Sequence, residues 1–104
     1  MSNEYRLVLA DESICQHVMD FLKSSAFYVE HYEGSVYLKD WSLNNGAHYE
    51  VRVIQEDRHS LWLQVNLRTP ALHDLLKAAV GDAPYKCLED GDLDHEVSLH
   101  DALG

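Results

Sequence analysis

Residues 48–68 read HYEVRVIQEDRHSLWLQVNLR and carry the clearest alternation of apolar and polar side chains in this protein. Residues 48–54 and 61–68 each alternate with a period of two, which is typical of strands with one buried face. The polar residues 56–59 between them have the length of a hairpin loop. The pattern predicts an antiparallel hairpin in a sheet that is covered on one side. The residues predicted to be buried are Tyr49, Val51, Val53, Leu61, Leu63, Val65 and Leu67.

Shorter segments on both sides of this hairpin are also rich in strand-forming residues. They are residues 5–9, 26–32, 35–39 and 85–88. Glu33-Gly34 is placed to close a second hairpin between residues 26–32 and 35–39. Asn44-Asn45-Gly46 predicts a further turn, because Asn and Gly tolerate positive φ at little cost.

Two amphipathic helices are predicted, each with a start signal. Asp11 is placed as the N-cap of the first helix, and Thr69-Pro70 supplies an N-cap and first residue for the second. Gly81 suits the left-handed position after the second helix ends. The predicted buried stripes contain Ile14, Cys15, Val18, Met19, Phe21 and Leu22 in the first helix, and Leu72, Leu75, Leu76, Ala79 and Val80 in the second.

The predicted element order is β-α-β-β-β-β-α-β. With 104 residues, the chain has room for one domain, residues 1–104. The predicted fold class is α+β: a two-layer sandwich of about four to six antiparallel strands with two helices on one face. A ferredoxin-like arrangement with an additional hairpin is one topology that fits this order.

Acidic residues are concentrated near the C-terminus. Residues 82–104 hold seven carboxylates and one lysine, a formal charge of −6 out of −10 for the whole chain. We predict that residues 89–104 form an acidic, partly ordered C-terminal segment. Such a segment attracts basic surfaces over long range and repels anionic ones. The candidate contacts to a partner within it are Asp90, Asp92, Asp94 and Glu96.

The strand residues that alternate with the buried ones predict a second, uncovered sheet face. Its candidate binding residues are Tyr37, Arg52, Trp62, Gln64 and Arg68. Tryptophan and arginine are enriched at interface hot spots, so a partner or ligand on this face is one interpretation. In the other, the C-terminal segment covers the face and lays its carboxylates over Arg6, Arg52 and Arg68.

No motif for catalysis, a cofactor or a metal emerges from the sequence. The seven histidines show no HExxH and no zinc-type spacing. Residues 90–101 resemble a calcium loop only in part, because His95 stands where the EF-hand needs glycine and Asp101 stands where it needs glutamate. No glycine-rich phosphate loop or GxSxG is present. We therefore predict a protein that is not an enzyme and uses no cofactor or metal.

Nucleic acid and membrane are not predicted partners. The charge of −10 opposes phosphate binding. The apolar runs are far shorter than the ~20 residues that span a bilayer, and no secretory signal is recognisable. Cys15 and Cys87 are too few for a disulfide framework and are predicted to be buried free thiols. These features predict a cytoplasmic protein.

The sequence leads to one leading hypothesis on function and two alternatives. The first is a small protein-binding module, an inhibitor or immunity-type protein that acts on a basic partner through the acidic segment, with Trp62, Arg52 and Arg68 as a second patch. The second is a small-molecule-binding or regulatory domain that uses Tyr37, Arg52, Trp62, Gln64 and Arg68. The third is self-association through an edge strand or the uncovered face.

Overall fold

The computed structural model describes residues 3–43 and 45–104. These residues form an α+β domain with one sheet and three helices. The strands are β1 (Asn3–Leu9), β2 (Tyr28–Tyr32), β3 (Ser35–Leu38), β4 (Val51–Gln55), β5 (Ser60–Val65), β6 (Tyr85–Glu89) and β7 (Glu96–Val97). The helices are α1 (Glu12–Lys23), α2 (Pro70–Val80) and α3 (Leu99–Leu103). Asn44, the first residue of the turn predicted at 44–46, lies outside the described residues.

The seven strands form one antiparallel sheet in the order β2-β3-β4-β5-β1-β6-β7. The six predicted strands are all present, with shifted ends. The sheet is nevertheless larger than the predicted range of about four to six strands. The additional strand is β7, whose two residues are too few to show a period in the sequence.

The predicted hairpin of residues 48–68 is confirmed as β4 and β5. Val53 pairs with Leu63, and the apolar residues of both strands are buried on the same face. Two predicted core positions are wrong. Leu67 is 47% exposed, because β5 ends at Val65 and the alternation stops there. Tyr49 precedes β4 and is only half-buried.

Helix α1 begins at the predicted N-cap. The Asp11 side chain accepts a hydrogen bond from the backbone N–H of Ile14 (3.0 Å), which satisfies one of the free donors of the first turn. Phe21, which the pattern predicts to be buried, is 37% exposed. The reason is the orientation of the helix: its buried residues are Cys15, Val18, Met19 and Leu22, and Phe21 lies outside this stripe.

Helix α2 also begins and ends as predicted. The side-chain oxygen of Thr69 accepts a hydrogen bond from the backbone N–H of Leu72 (3.0 Å), and Pro70 is the first helical residue. Gly81 follows the helix with φ of 62°, a conformation that glycine adopts without a steric penalty. The five residues predicted for its apolar stripe are all buried, which confirms the stripe.

Helix α3, which the sequence pattern does not predict, lies in the C-terminal segment. Ser98 Oγ accepts a hydrogen bond from the Asp101 N–H (3.0 Å), and the Asp101 carboxylate accepts one from the Ser98 N–H (3.3 Å), a capping box. Leu99, Ala102 and Leu103 are buried in the core against α2 and β6. The interpretation that the C-terminal leucines cover the open sheet face is therefore wrong, because they lie on the helix side.

A single core lies between the helices and one face of the sheet. It contains Leu7 and Leu9 of the central strand β1 together with buried residues of α1, α2 and α3. The opposite sheet face carries the alternate residues of the same strands, including Glu4, Arg6, Tyr37, Arg52, Trp62 and Gln64. We call this second face the open face.

Both cysteines are buried free thiols, as predicted. Burial raises the pKa of the Cys87 thiol to about 12 and also raises that of Cys15. We expect neither thiol to react with a thiol-specific reagent at about pH 8 in the folded state, because the thiolate is the reactive form. In denaturant both should react. Rapid reaction of either thiol in the native protein would contradict this burial.

The raised pKa of Cys87 also sets the direction of a pH effect. Below pH 9 the thiol is protonated in both the folded and the unfolded chain, and its ionisation has no effect on stability. Between pH 9 and about 12 the unfolded chain releases this proton while the folded chain retains it. Stability is therefore lost through this group as the pH rises across that window.

Candidate interaction surfaces

The connection between β6 and β7, residues 90–95, is an ordered turn that we call the acidic turn. Asp90 and Gly91 both have positive φ, 54° and 74°. The backbone N–H of His95 donates to the carbonyl of Asp92 (3.0 Å), and the carboxylate of Asp92 accepts from the N–H of Asp94 (2.9 Å). These bonds fix the backbone, so that the three aspartates are presented from a defined scaffold.

The structure places the predicted acidic contacts together. Asp90, Asp92 and Asp94 lie in the acidic turn, and Glu96 follows it as the first residue of β7. All four are exposed. Among the described residues, none of these four carboxylates lies within 4.0 Å of a lysine or arginine nitrogen. Asp92 is the one that lies close to a histidine, with Nδ1 of His95 at 2.9 Å.

The other three acids of residues 82–104 are less concentrated. Glu89 is exposed at the end of β6, beside the acidic turn. Asp101 serves in the capping box of α3. Asp82 lies after α2, at the opposite end of the sheet, since β6 runs from there toward the turn. The excess negative charge of the C-terminal quarter is thus centred on the acidic turn and its two flanking strands.

On the open face, four of the five predicted binding residues lie in neighbouring positions. The strand register places Tyr37 beside Arg52, and Arg52 beside Gln64. Trp62 lies two residues from Gln64 in β5, opposite Arg6 of β1. The four side chains are half-buried.

Arg52 contacts the hydroxyl group of Ser35 and the aromatic ring of Tyr37. Its guanidinium carbon lies 5.4 Å from the ring centroid of Tyr37, and Nη2 donates to Oγ of the buried Ser35 at 3.1 Å. Tyr37 also contacts Tyr49 edge-on, with ring centroids 4.9 Å apart. Within residues 3–43 and 45–104, no carboxylate lies within ion-pair distance of Arg52.

Trp62 is tied into a separate polar cluster. Its Nε1–H donates to Glu4 (2.8 Å), and the guanidinium carbon of Arg6 lies 5.5 Å from its ring centroid. Arg6 donates two hydrogen bonds to Glu56, at 2.7 and 3.0 Å. The hydrogen bond from Arg6 lowers the pKa of Glu56 below its usual value. Arg6 is therefore neutralised by Glu56 and not by the C-terminal acids.

Backbone contacts join the acidic turn to the edge of the open face, including a hydrogen bond from the Asp90 N–H to the carbonyl of Glu4 (2.8 Å). A Cβ atom on Gly91 would lie 3.1 Å from the Trp62 ring and 3.4 Å from the Arg6 guanidinium. The turn thus touches the edge of the open face with its backbone. The acids of the turn make no ion pair with Arg6 or Arg52, so the structure does not show direct pairing of these carboxylates with the two arginines.

Arg68 does not lie on the open face, contrary to the prediction. β5 ends at Val65, and the chain then turns toward α2. Arg68 Nη2 donates to the carbonyl oxygen of His100 in α3 (3.3 Å), on the helix side. The alternation of residues 61–68 does not persist to its last positions, so both Leu67 and Arg68 are displaced from their predicted environments.

Two further apolar side chains are exposed in loops. Leu93 is 82% exposed in the middle of the acidic turn. Trp41 is 58% exposed in the connection between β3 and β4. The available signal was the position of Trp41 between Asp40 and Ser42, just after a predicted strand, which is typical of a loop.

Three further observations concern the surface and the composition of possible sites. An open apolar depression of about 220 Å³ lies at the ends of β1 and β6, lined by Val8, Leu9, Pro84, Tyr85 and Lys86 among others. Among the described residues, no group of three or more His, Cys, Asp or Glu side chains is arranged to hold a metal ion. Within the same part of the chain, no helix has the length and apolar character required to cross a bilayer.

Comparison of the chain with protein-family models, with curated proteins and with solved structures found no match.

Proposed function

We propose that this protein is a non-enzymatic, cytoplasmic protein-binding module that recognises a basic partner, as an inhibitor or immunity-type protein does. The observation that carries the proposal is the exposure of the carboxylates in the acidic turn. Asp90, Asp92 and Asp94 are exposed on an ordered backbone, and within the described chain none is neutralised by lysine or arginine. Their field therefore acts outward, on whatever approaches this surface.

Long-range attraction is the physical advantage of such a surface. Complementary charge raises association rates from ~10⁵–10⁶ M⁻¹s⁻¹ to as much as ~10⁸–10⁹ M⁻¹s⁻¹ at low salt. The Debye length is ~10 Å at 0.1 M salt, so the effect falls steeply between low and moderate ionic strength. The same field excludes nucleic acid and anionic membranes as partners.

The test compares two variants with equal changes in net charge. The first carries Asp90→Asn, Asp92→Asn and Asp94→Asn; the second carries Asp20→Asn, Asp74→Asn and Asp82→Asn, all exposed carboxylates away from the acidic turn. The partner is captured from a lysate of the source cells, and its association rate is measured at low and moderate salt. We expect the first variant to associate about tenfold more slowly at low salt and the second to change much less.

Two results would overturn this proposal. One is capture of no protein partner together with retention of a small metabolite. The other is an equal slowing by both variants, which would show that total charge matters and the acidic turn does not. Asn retains the acceptor oxygen that Asp92 offers to the Asp94 N–H, so the turn should keep its conformation in the first variant.

A small-molecule-binding or regulatory function of the open face is the second candidate. One observation favours it: half-buried Arg52 is stacked on Tyr37 without a carboxylate partner among the described residues, in a chain rich in acids. Its site would contain Tyr37, Arg52, Trp62 and Gln64, without Arg68. We rank it second because the depression of about 220 Å³ lies elsewhere. Binding here should depend only weakly on salt.

We also interpret the architecture as a two-layer sandwich of the ferredoxin-like kind. The neighbouring strands β4-β5-β1-β6, with α1 after β1 and α2 after β5, have the order and antiparallel pairing of that β-α-β-β-α-β unit. The hairpin β2–β3 would then be an insertion that extends the sheet beside β4, and β7 an extension beside β6.

A further inference from the structure

Three large apolar side chains are exposed in loops at one end of the sheet. Leu93 is 82% exposed, Trp41 58% and Leu67 47%. Exposed apolar residues scattered singly need no explanation, whereas larger apolar patches rimmed by polar residues mark interaction sites. Phe21 and Tyr32, the other large apolar residues exposed among the described ones, lie on α1 and at the far end of the hairpin β2–β3.

The strand register establishes that these loops share an end. Leu38, the last residue of β3, pairs with Val51; Val51 pairs with Val65, the last residue of β5; and Val65 pairs with Asn3. Glu89, the last residue of β6, pairs with Tyr5 near the start of β1. The chain therefore leaves β3, β5 and β6 at the same end, through residues 39–50, residues 66–69 and the acidic turn. We call this the loop end.

The width of the loop end suits a protein partner. The strands β3 and β6 are separated by four strand spacings, which is about 19 Å at ~4.8 Å each. An interface of standard size buries about 800 Å² on each partner, so a surface of this width is of the right order. A free amino acid or nucleotide would not bridge the distance from the Trp41 loop to the acidic turn.

The loop that carries Trp41 is braced from beneath. Glu50, only 1% exposed, accepts a hydrogen bond from the backbone N–H of Asp40 (2.8 Å), and its own carbonyl accepts one from the N–H of Asn66 (2.8 Å). Hydrogen bonds from Ser42 and also from Thr69 lower the pKa of Asp40. Trp41 and Leu67 thus project from two loops that are joined by buried polar groups, and preorganisation of this kind lowers the entropic cost of binding.

The charges differ between the two ends of the sheet. At the far end, Glu12 lies 3.7 Å from Arg58 and Glu56 is 2.7 Å from Arg6, so part of the negative charge is paired internally. At the loop end, the aspartates on both sides of Leu93 have no lysine or arginine partner among the described residues. The unneutralised negative charge of the loop end is therefore located around Leu93, while the other two loops contain the Lys39–Glu50 ion pair and the exposed Arg68.

We infer that the loop end is the docking surface for the basic partner, with Leu93, Trp41 and Leu67 entering apolar sites while the acidic turn faces lysines and arginines. This inference rests on the proposed function and specifies where the partner binds. It excludes the open face as the principal interface, although Trp62 and Arg52 lie there. A net charge of −10 opposes a second copy of the chain as the occupant.

NMR of the ¹⁵N-labelled protein makes the inference directly observable. The Trp41 indole N–H and the Leu93 amide report the loop end, and the amide of Ile54 in β4 reports the open face away from the acidic turn. The probe is a synthetic amphipathic peptide of lysine and leucine, compared with a peptide in which serine replaces leucine. We expect the leucine peptide to shift the Trp41 indole and the Leu93 amide more than the Ile54 amide.

Variants test the same point by affinity for the leucine peptide. We expect Leu93→Ser and Trp41→Ser each to weaken binding about tenfold or more, as interface anchors do. Tyr32→Ser removes a side chain that is 64% exposed at the opposite end and should leave the affinity unchanged. Circular dichroism of each variant checks that the fold is retained.

The outcomes separate this inference from the proposed function. Unchanged affinity of both loop-end variants, or a shift of the Ile54 amide without one of the Trp41 indole, would overturn the loop-end inference. If the triple Asn variant still lost affinity in that case, the proposed function would stand. Equal binding of both peptides, unaffected by the triple Asn variant, would overturn both proposals.

Discussion

Replacing Leu99 by alanine should lower the free energy of unfolding by about 2–5 kcal/mol, the range found for truncating a buried leucine. Leu99 is 1% exposed and belongs to the same core as Leu103, α2 and β6. The helix around it has only five residues and cannot be stable alone, so its burial depends on tertiary packing. Urea denaturation monitored by circular dichroism gives the value.

Leu93→Ala is the matched control, in the same C-terminal segment. Leu93 is 82% exposed, and a substitution there should change the free energy of unfolding by no more than about 0.5 kcal/mol. Equal effects of the two substitutions would show that the C-terminal segment does not dock on the helix side. The pair thus separates the role of α3 in stability from the role of the acidic turn in binding.

The long elements of this fold follow from local rules. The alternation of residues 48–68 predicts β4 and β5, and the N-caps at Asp11 and Thr69 predict where α1 and α2 begin. These signals extend over many residues or depend on one specific hydrogen bond, so tertiary contacts seldom override them. Their ends are less certain, as Leu67 illustrates, because the end of a strand is decided by the turn that follows it.

The C-terminal segment shows what periodicity misses. β7 has two residues and α3 has five, so neither completes enough of a period to be recognised. The capping box of Ser98 and Asp101 is the one local signal for α3, and it is a pattern that short sequences often contain by chance. The position of α3 against α2 depends on tertiary packing, which the sequence pattern does not encode.

The sequence predicts the candidate surfaces only in part. Alternation along β4 and β5 is sufficient to place Arg52, Trp62 and Gln64 on one face. It fails for Arg68, which lies beyond the strand. The placement of Trp41, Leu67 and Leu93 at the same end of the sheet depends on the strand order, since three strands separate β3 from β6.

Glu50 is a buried carboxylate whose charge we expect to contribute strongly to the stability of the fold. Its side chain is only 1% exposed, although the alternation of residues 48–54 assigns Glu50 to the polar face of the strand. Oε2 lies 3.4 Å from the ammonium of Lys39, which also donates to Asn45 at 3.0 Å, while Oε1 accepts the N–H of Asp40. Both members of this pair are buried, since Lys39 is only 8% exposed.

Glu50→Ala should therefore cost about 3–5 kcal/mol of stability, because it leaves a buried ammonium without its counter-charge and the Asp40 N–H without an acceptor. Glu50→Gln keeps an acceptor for that N–H and removes only the charge, so we expect it to be less damaging. In the double variant Lys39→Met/Glu50→Gln neither charge remains, and we expect its stability to exceed that of Glu50→Gln alone. Urea denaturation of all the variants provides the comparison. A double variant less stable than Glu50→Gln would show that Lys39 stabilises the loop independently of Glu50, through Asn45 or its packing over Trp41.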